Sequence, residues 1–139
     1  MLIKKCAPYD VPLLAAMNKR LIEDEKSDNP MSAAELEERM SGFLGGGYDA
    51  FFFVEEGTIV GYALVRRDTD PLYLRQFYIE RQYRRMHYGE NAFRKLMGFL
   101  DTDTIDIDVL PHNEAGRLFW KKCGFTETCV SMRYKSDET

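Results

Sequence analysis

Between Ala50 and Ile79 the chain abandons helical spacing, and this change of period constrains the fold more than any other feature. Ala50 to Val54 is an unbroken apolar run, Glu55-Glu56-Gly57-Thr58 reads as a turn, and Ile59 to Val65 is a second run. Asp68 to Pro71 is another turn, and Leu72 to Ile79 is a third run. Runs of this length bounded by turn residues read as strands, the first two as an antiparallel hairpin. Phe51, Phe52 and Phe53 therefore belong to a core strand rather than to a stacking platform.

Helical spacing holds on both sides of this block. Leu2 to Lys5 reads as a short first strand, and Asp10 as a cap with Pro12 in the first helical turn. Leu14, Met17 and Leu21 mark one helical face, which the polar stretch Glu23 to Pro30 ends. Ser32-Ala33-Ala34-Glu35 is a capping box, with Leu36, Met40 and Phe43 on one face behind it and Gly45-Gly46-Gly47 as the stop. Downstream, Ala92, Phe93, Leu96, Met97 and Leu100 form an apolar stripe. Ile105, Ile107 and Val109 alternate with Asp106 and Asp108 as in a strand from Thr104 to Val109. A helix is expected from Asn113 to Lys122, with Ala115, Leu118 and Phe119 inward and Gly124 ending it. Thr128 to Tyr134 suits a last strand. The order is β-α-α-β-β-β-α-β-α-β, a mixed α/β (α+β) layer with a strand–loop–helix at its centre.

Composition excludes several classes of function. At 139 residues the chain reads as one domain, 1–139, able to bury a core without staples. A net charge of −4, from 19 basic and 23 acidic residues, argues against a nucleic-acid binder. No apolar run approaches the roughly 18 residues of a membrane span, and no leader peptide is expected at Met1 to Lys5. Cys6, Cys123 and Cys129 lack paired spacing, so a reducing cytoplasm is the expected setting, for a monomer or homodimer.

The central loop, Gln82-Tyr83-Arg84-Arg85-Met86-His87-Tyr88-Gly89-Glu90, carries the chemistry. A strand ending at Ile79 and a helix starting near Gly89 present main-chain N–H groups and the positive end of a helix dipole to an anion. Arg84 and Arg85 could add charge-assisted hydrogen bonds worth about 1.5–3 kcal/mol each if partly buried. Alone, the same residues also read as a solvated basic turn.

Ile79 to Gly89 resembles the acyl-CoA loop of the GCN5-related N-acetyltransferases (GNAT), V-x-P-x-Y-R-G-K-G-I-G. Asn113-Glu114-Ala115-Gly116-Arg117-Leu118-Phe119-Trp120-Lys121-Lys122-Cys123-Gly124-Phe125 resembles the family's later segment, N-x-x-A-x-x-L-Y-E-K-L-G-F. Both motifs occur in order within the element order derived above. The resemblance implies a GNAT-like three-layer fold with a mixed, mostly antiparallel sheet, and acetyl transfer from acetyl-CoA to an amine of a small molecule or protein. It implies that the main chain of Phe77, Tyr78 and Ile79 pairs with the pantetheine arm. Arg84, Arg85, Met86, His87, Tyr88, Gly89 and Glu90 would take the pyrophosphate, and Asn113 and Trp120 would approach the cofactor.

Three positions depart from the family pattern. His87 replaces the first loop glycine, although histidine tolerates positive φ better than most side chains. Trp120 stands where many relatives have a tyrosine that protonates the leaving thiolate, and an indole cannot titrate usefully. Tyr73 stands where some relatives have a glutamate base. No catalytic acid or base is assigned, so a non-catalytic acyl-CoA-binding module and a small nucleotide- or phosphate-binding protein stay open as alternatives.

Asp101, Asp103, Asp106 and Asp108 fail the calcium-loop pattern, and two isolated histidines, His87 and His112, do not suggest zinc, so no metal is expected. Glu23, Asp24, Glu25 and Asp28 form an acidic stretch that could border an acceptor site and attract a cationic amine.

Overall fold

The three apolar runs become β2 (Tyr48–Glu55), β3 (Thr58–Arg66) and β4 (Leu72–Ile79) in a computed structural model that describes residues 1–137. The β2–β3 hairpin turns at Glu56 and Gly57, both with positive φ, as a tight two-residue connection requires. β1 (Leu2–Lys5) pairs antiparallel with β2, and β5 (Ile105–Asp106) pairs parallel with β4. The sheet order is β1-β2-β3-β4-β5, mostly antiparallel with one parallel edge.

Both faces of this sheet are covered, which explains why β2 reads as a continuous apolar run rather than an alternation. Phe52 faces α1 (Val11–Asp24) and α2 (Ala33–Gly45), in a cluster with Leu14, Met17, Met40, Tyr62, Leu64 and Tyr78. Phe51 faces the other way and meets Phe99 of α3 (Tyr88–Leu100) edge to face at 5.5 Å. Phe51, Phe52 and Phe53 are all buried. Each contributes about 1.5–3 kcal/mol of hydrophobic stabilisation.

The local start signals hold with one exception. Ser32 accepts a hydrogen bond from the Glu35 N–H at 3.2 Å, and Glu35 accepts from the Ser32 N–H at 3.0 Å, closing the capping box of α2. Asp10 instead accepts from the Ala7 N–H at 2.8 Å and makes no side-chain cap to α1. Its oxygen serves the 3₁₀ turn Pro8–Asp10 that precedes the helix.

The first unit, Met1–Asp108, holds the whole sheet and α1 to α3; a second begins at Val109 and contains α4 (Glu114–Lys122). Gly124, with φ of 108°, ends α4 as its position suggests. Ala115 and Leu118, expected inward, are exposed, and no residue of α4 is buried. The expected strand Thr128 to Tyr134 does not form, and Val130, Met132 and Tyr134 are exposed. Among the described residues this unit holds one helix and no strand, so a ladder has no local partner. The strand expected from Thr104 to Val109 is shorter, pairing only at Ile105 and Asp106.

Candidate functional site

β4 is the element around which the candidate residues gather. Its upper part, Phe77, Tyr78 and Ile79, pairs with Ala63, Tyr62 and Gly61 of β3, and the strand runs directly into the questioned loop. Gly61 is required there by close approach: a Cβ would press into the Tyr78 carbonyl oxygen and lie 3.1 Å from the Ile79 Cα. The ladder with β5 covers only Leu72 and Tyr73.

Past Ile79 the chain makes a 3₁₀ turn at Arg81–Tyr83, and Arg85 and His87 then adopt positive φ, 64° and 61°. His87 is the N-cap of α3 in the left-handed region and makes no side-chain cap. The imidazole thus stands at a backbone position that favours glycine, and its carbonyl accepts the first helical bond from the Asn91 N–H at 3.1 Å. Met86 and His87 are exposed, and the Tyr83 and Tyr88 rings meet edge to face at 5.5 Å. Gly89 and Glu90 lie in the first turn of α3, where Glu90 pairs with Arg94 at 3.3 Å.

Not every arginine of the loop is free. Arg84 donates to the Ile79 carbonyl at 2.8 Å and to Asp24, while Arg81 donates to the other Asp24 oxygen at 2.8 Å. Arg20 adds a pair with Glu80 at 2.6 Å. The end of α1 is thereby clamped to the loop. Burial pushes the Asp24 carboxyl up, but hydrogen bonds from Arg84 and Arg81 outweigh it and hold the group below its ordinary range. Asp24 therefore spends its charge on two arginines instead of forming an open acidic rim, whereas Glu23 is exposed.

A cavity of about 260 Å³ opens beside the same strand, lined by Asn18, Leu21, Ile22, Glu25, Ser27, Asn29, Arg39, Tyr73, Arg75 and Gln76. A bulge shapes it. Leu64 pairs with Gln76 and Val65 with Leu74, so Arg75 is an extra residue on β4, and Arg75 and Gln76 both reach the cavity despite being sequential. Tyr73 donates to Asp108 at 2.9 Å, and its phenol is pushed up to about 12 by burial and by that carboxylate. It holds its proton at neutral pH. Glu25, exposed at the end of α1, has its carboxyl raised by partial desolvation and then by Asp24.

In the second unit, Asn113 accepts from the Gly116 N–H at 3.0 Å and so caps α4. Trp120 packs edge to face on Phe119 at 4.7 Å and Phe125 at 5.2 Å. Among the described residues no cluster suited to a metal ion occurs, and no helix is long and apolar enough to cross a membrane.

Sequence reasoning found the loop but missed the cavity. Arg75-Gln76 is a polar pair inside an otherwise apolar strand run, which signals a bulge, and Glu25 belongs to the acidic stretch expected near an acceptor, but Asn18 and Arg39 carry no comparable mark.

The sequence model of the Acetyltransferase (GNAT) family matches residues 14–125, and the chain belongs to that family. No curated protein matches it. Among solved structures, it is similar to one described as a possible acetyltransferase from Clostridium difficile 630, with 14% identity and a TM-score of 0.80 over 97% of this chain and 96% of that one. A predicted acetyltransferase with acetyl-CoA from Clostridium acetobutylicum shares 18% identity and a TM-score of 0.73, over 96% and 95%. An aminoglycoside acetyltransferase from an uncultured soil metagenomic sample, in complex with sisomicin, shares 14% identity and a TM-score of 0.70, over 98% and 96%. At these identities the likeness is one of fold.

Proposed function

We propose that residues 1–139 form one N-acetyltransferase domain that binds acetyl-CoA and transfers its acetyl group to an amine. The observation that carries this reading is the start of α3. His87 begins the helix in a left-handed conformation with no side-chain cap, directly after a strand end and a basic loop. Main-chain N–H groups there, with the helix dipole, suit a pyrophosphate. The pantetheine arm would run along Phe77, Tyr78 and Ile79, and Arg84 to Glu90 would surround the phosphates. Asn113 and Trp120 would approach the cofactor, Trp120 by packing. A structural neighbour solved with acetyl-CoA supports the donor.

The amine attacks the thioester directly, so no protein nucleophile is needed. The raised phenol pKa of Tyr73 argues against it as a base, and Glu25 is the carboxylate that lines the cavity. A thiol with a pKa near 8–9 leaves adequately without an acid at Trp120, where acid catalysis is worth about 10²–10⁴ in rate.

Acetyl-CoA at 100 times its dissociation constant should stabilise the fold by about 2.7 kcal/mol. Thermal unfolding of ligand-free protein with and without acetyl-CoA, followed by CoA release with a panel of amines, tests the two halves of the proposal. Absence of any thermal shift at millimolar acetyl-CoA would exclude the donor. Binding without turnover of any amine would favour a non-catalytic acyl-CoA module.

A further inference from the structure

We infer that the cavity between α1, α2 and β4 takes an amine that also carries a carboxylate or comparable oxyanion, with Arg39 and Arg75 as its anion-binding pair. The inference rests on the N-acetyltransferase reading for its reaction, but the site stands on its own geometry.

Two guanidiniums face one aromatic ring. The Cζ atoms of Arg75 and Arg39 lie 4.8 and 5.6 Å from the Phe43 ring centroid. Among the described residues neither forms an ion pair with a carboxylate within 4.0 Å. Their hydrogen bonds go to neutral groups: Arg39 Nη2 donates to Asn18 Oδ1 at 2.9 Å, and Arg75 Nη1 to Tyr48 Oη at 3.4 Å. The Arg39 Nε is buried and makes no hydrogen bond. A buried donor on a charged group without an acceptor costs free energy, and a bound oxyanion would offset the unneutralised charge of that guanidinium. Burial and the positive charge of Arg75 both disfavour the charged form of Arg39, the strain that an anion would relieve.

The bulge supplies an independent observation. Arg75 is the inserted residue, and bulges next to sites re-aim a side chain. A regular strand would send Arg75 and Gln76 to opposite faces; here both line one cavity. Gln76 is fixed by accepting from Tyr62 Oη at 2.7 Å in the buried layer.

The cavity also has one carboxylate, Glu25, which completes complementarity to a zwitterion: oxyanion on the arginines, amine toward Glu25. The strand that lines the cavity at Tyr73, Arg75 and Gln76 continues into Phe77 to Ile79, where the thioester would lie. The bound ammonium first gives one proton to solvent; the nitrogen lone pair so freed attacks the thioester carbon, a C–N bond forms, and the C–S electron pair leaves on sulfur. The second proton lost from nitrogen passes to Glu25, and the thiolate takes a proton from solvent.

Matched probes test this on the full chain: free amino acids, their carboxamides, the amines left by removing the carboxyl group, and aminoalkyl phosphates. With acetyl-CoA, at least one acid or phosphate should be acetylated with kcat/KM at least tenfold above its neutral partners, about 1.4 kcal/mol. Which of the two oxyanions wins identifies the source. Arg75→Gln should erase that ratio while acetyl-CoA still raises the variant's Tm, and Arg75→Lys should restore part of it. A neutral amine preferred over its acidic partner, or a ratio that survives Arg75→Gln, overturns the inference. If no probe is turned over, stabilisation of the CoA-bound protein by the same compounds decides. Stabilisation by the acids that Arg75→Gln removes upholds the site, and none, or an equal shift in the variant, overturns it. Failure of acetyl-CoA to bind defeats the N-acetyltransferase reading instead, and the anion-dependent shift is then read without CoA.

Discussion

Arginines occur in two groups along β4, and they differ in whether the protein neutralises them. Arg81 and Arg84, in the loop, share the two oxygens of Asp24. Arg39 and Arg75, in the cavity, have an aromatic ring and neutral hydrogen-bond partners but no carboxylate pair among the described residues. In sequence the loop pair looks the more available, because Arg84-Arg85 stands in an exposed basic turn. Folding reverses this for Arg84, since a distant acidic residue on α1 arrives beside it. Charge in a sequence therefore indicates where an anion could bind only after the internal partners are known.

The severest perturbation would strike the strand end that joins the two regions. Gly61→Val should destabilise the fold by about 3 kcal/mol, because the new side chain enters the space of the Tyr78 carbonyl and the Ile79 main chain. Urea unfolding midpoints measure it; an unchanged midpoint would show that β3 and β4 approach less closely there.

Gly89→Asp separates the regions. It puts a negative charge at the start of α3, where a carboxylate favours the helix but repels a pyrophosphate. Acetyl-CoA affinity should fall at least a hundredfold, about 2.7 kcal/mol, with Tm of the unliganded protein nearly unchanged. Retained affinity in calorimetric titration would move the phosphates away from this helix.

Asp24→Asn inverts the comparison by freeing Arg81 and Arg84. Acetyl-CoA affinity should rise severalfold at low salt, and the gain should shrink as salt screens it. Stability changes too, with a definite pH signature. The folded-state carboxyl of Asp24 lies below its ordinary value of 3.8, so its contribution is present above that value and disappears as pH falls through the lowered one. Wild type and variant should thus differ in stability at neutral pH and converge below about pH 4. Chemical denaturation across that range checks the convergence, and unchanged or weaker cofactor binding would mean Asp24 orients the arginines rather than competing for them.

The smallest effect is expected at His87. Its φ of 61° suits glycine, so His87→Gly should keep acetyl-CoA affinity within about tenfold, roughly 1.4 kcal/mol. A larger loss would make the imidazole a principal ligand.

Much of the fold was legible because its signals are local. The capping box at Ser32 and Glu35, the turn at Glu56-Gly57, the stop at Gly124 and the period change after Ala50 each depend on a few adjacent residues. β2, β3 and β4 accordingly fall within two residues of the expected runs. Asp10 was misread because two possible acceptor roles, for the 3₁₀ turn and for α1, share one side chain. The closing strand at Thr128 to Tyr134 has the right alternation, but strand formation needs a partner edge, which no local pattern supplies.

The sequence by itself determined the order of elements as far as α4, the family and the loop before α3, since periodicity, caps and motif spacing act within a few turns of chain. Only the tertiary structure decided which charges are satisfied. Asp24 and Arg84 are 60 residues apart, and Asn18 and Arg39 are 21 apart on different helices. The bulge that turns Arg75 into the cavity exists only in register with β3. Hydrogen bonds and ion pairs act over a few ångströms of space, and residues far apart along the chain come within that range only when the sheet and its helices have packed.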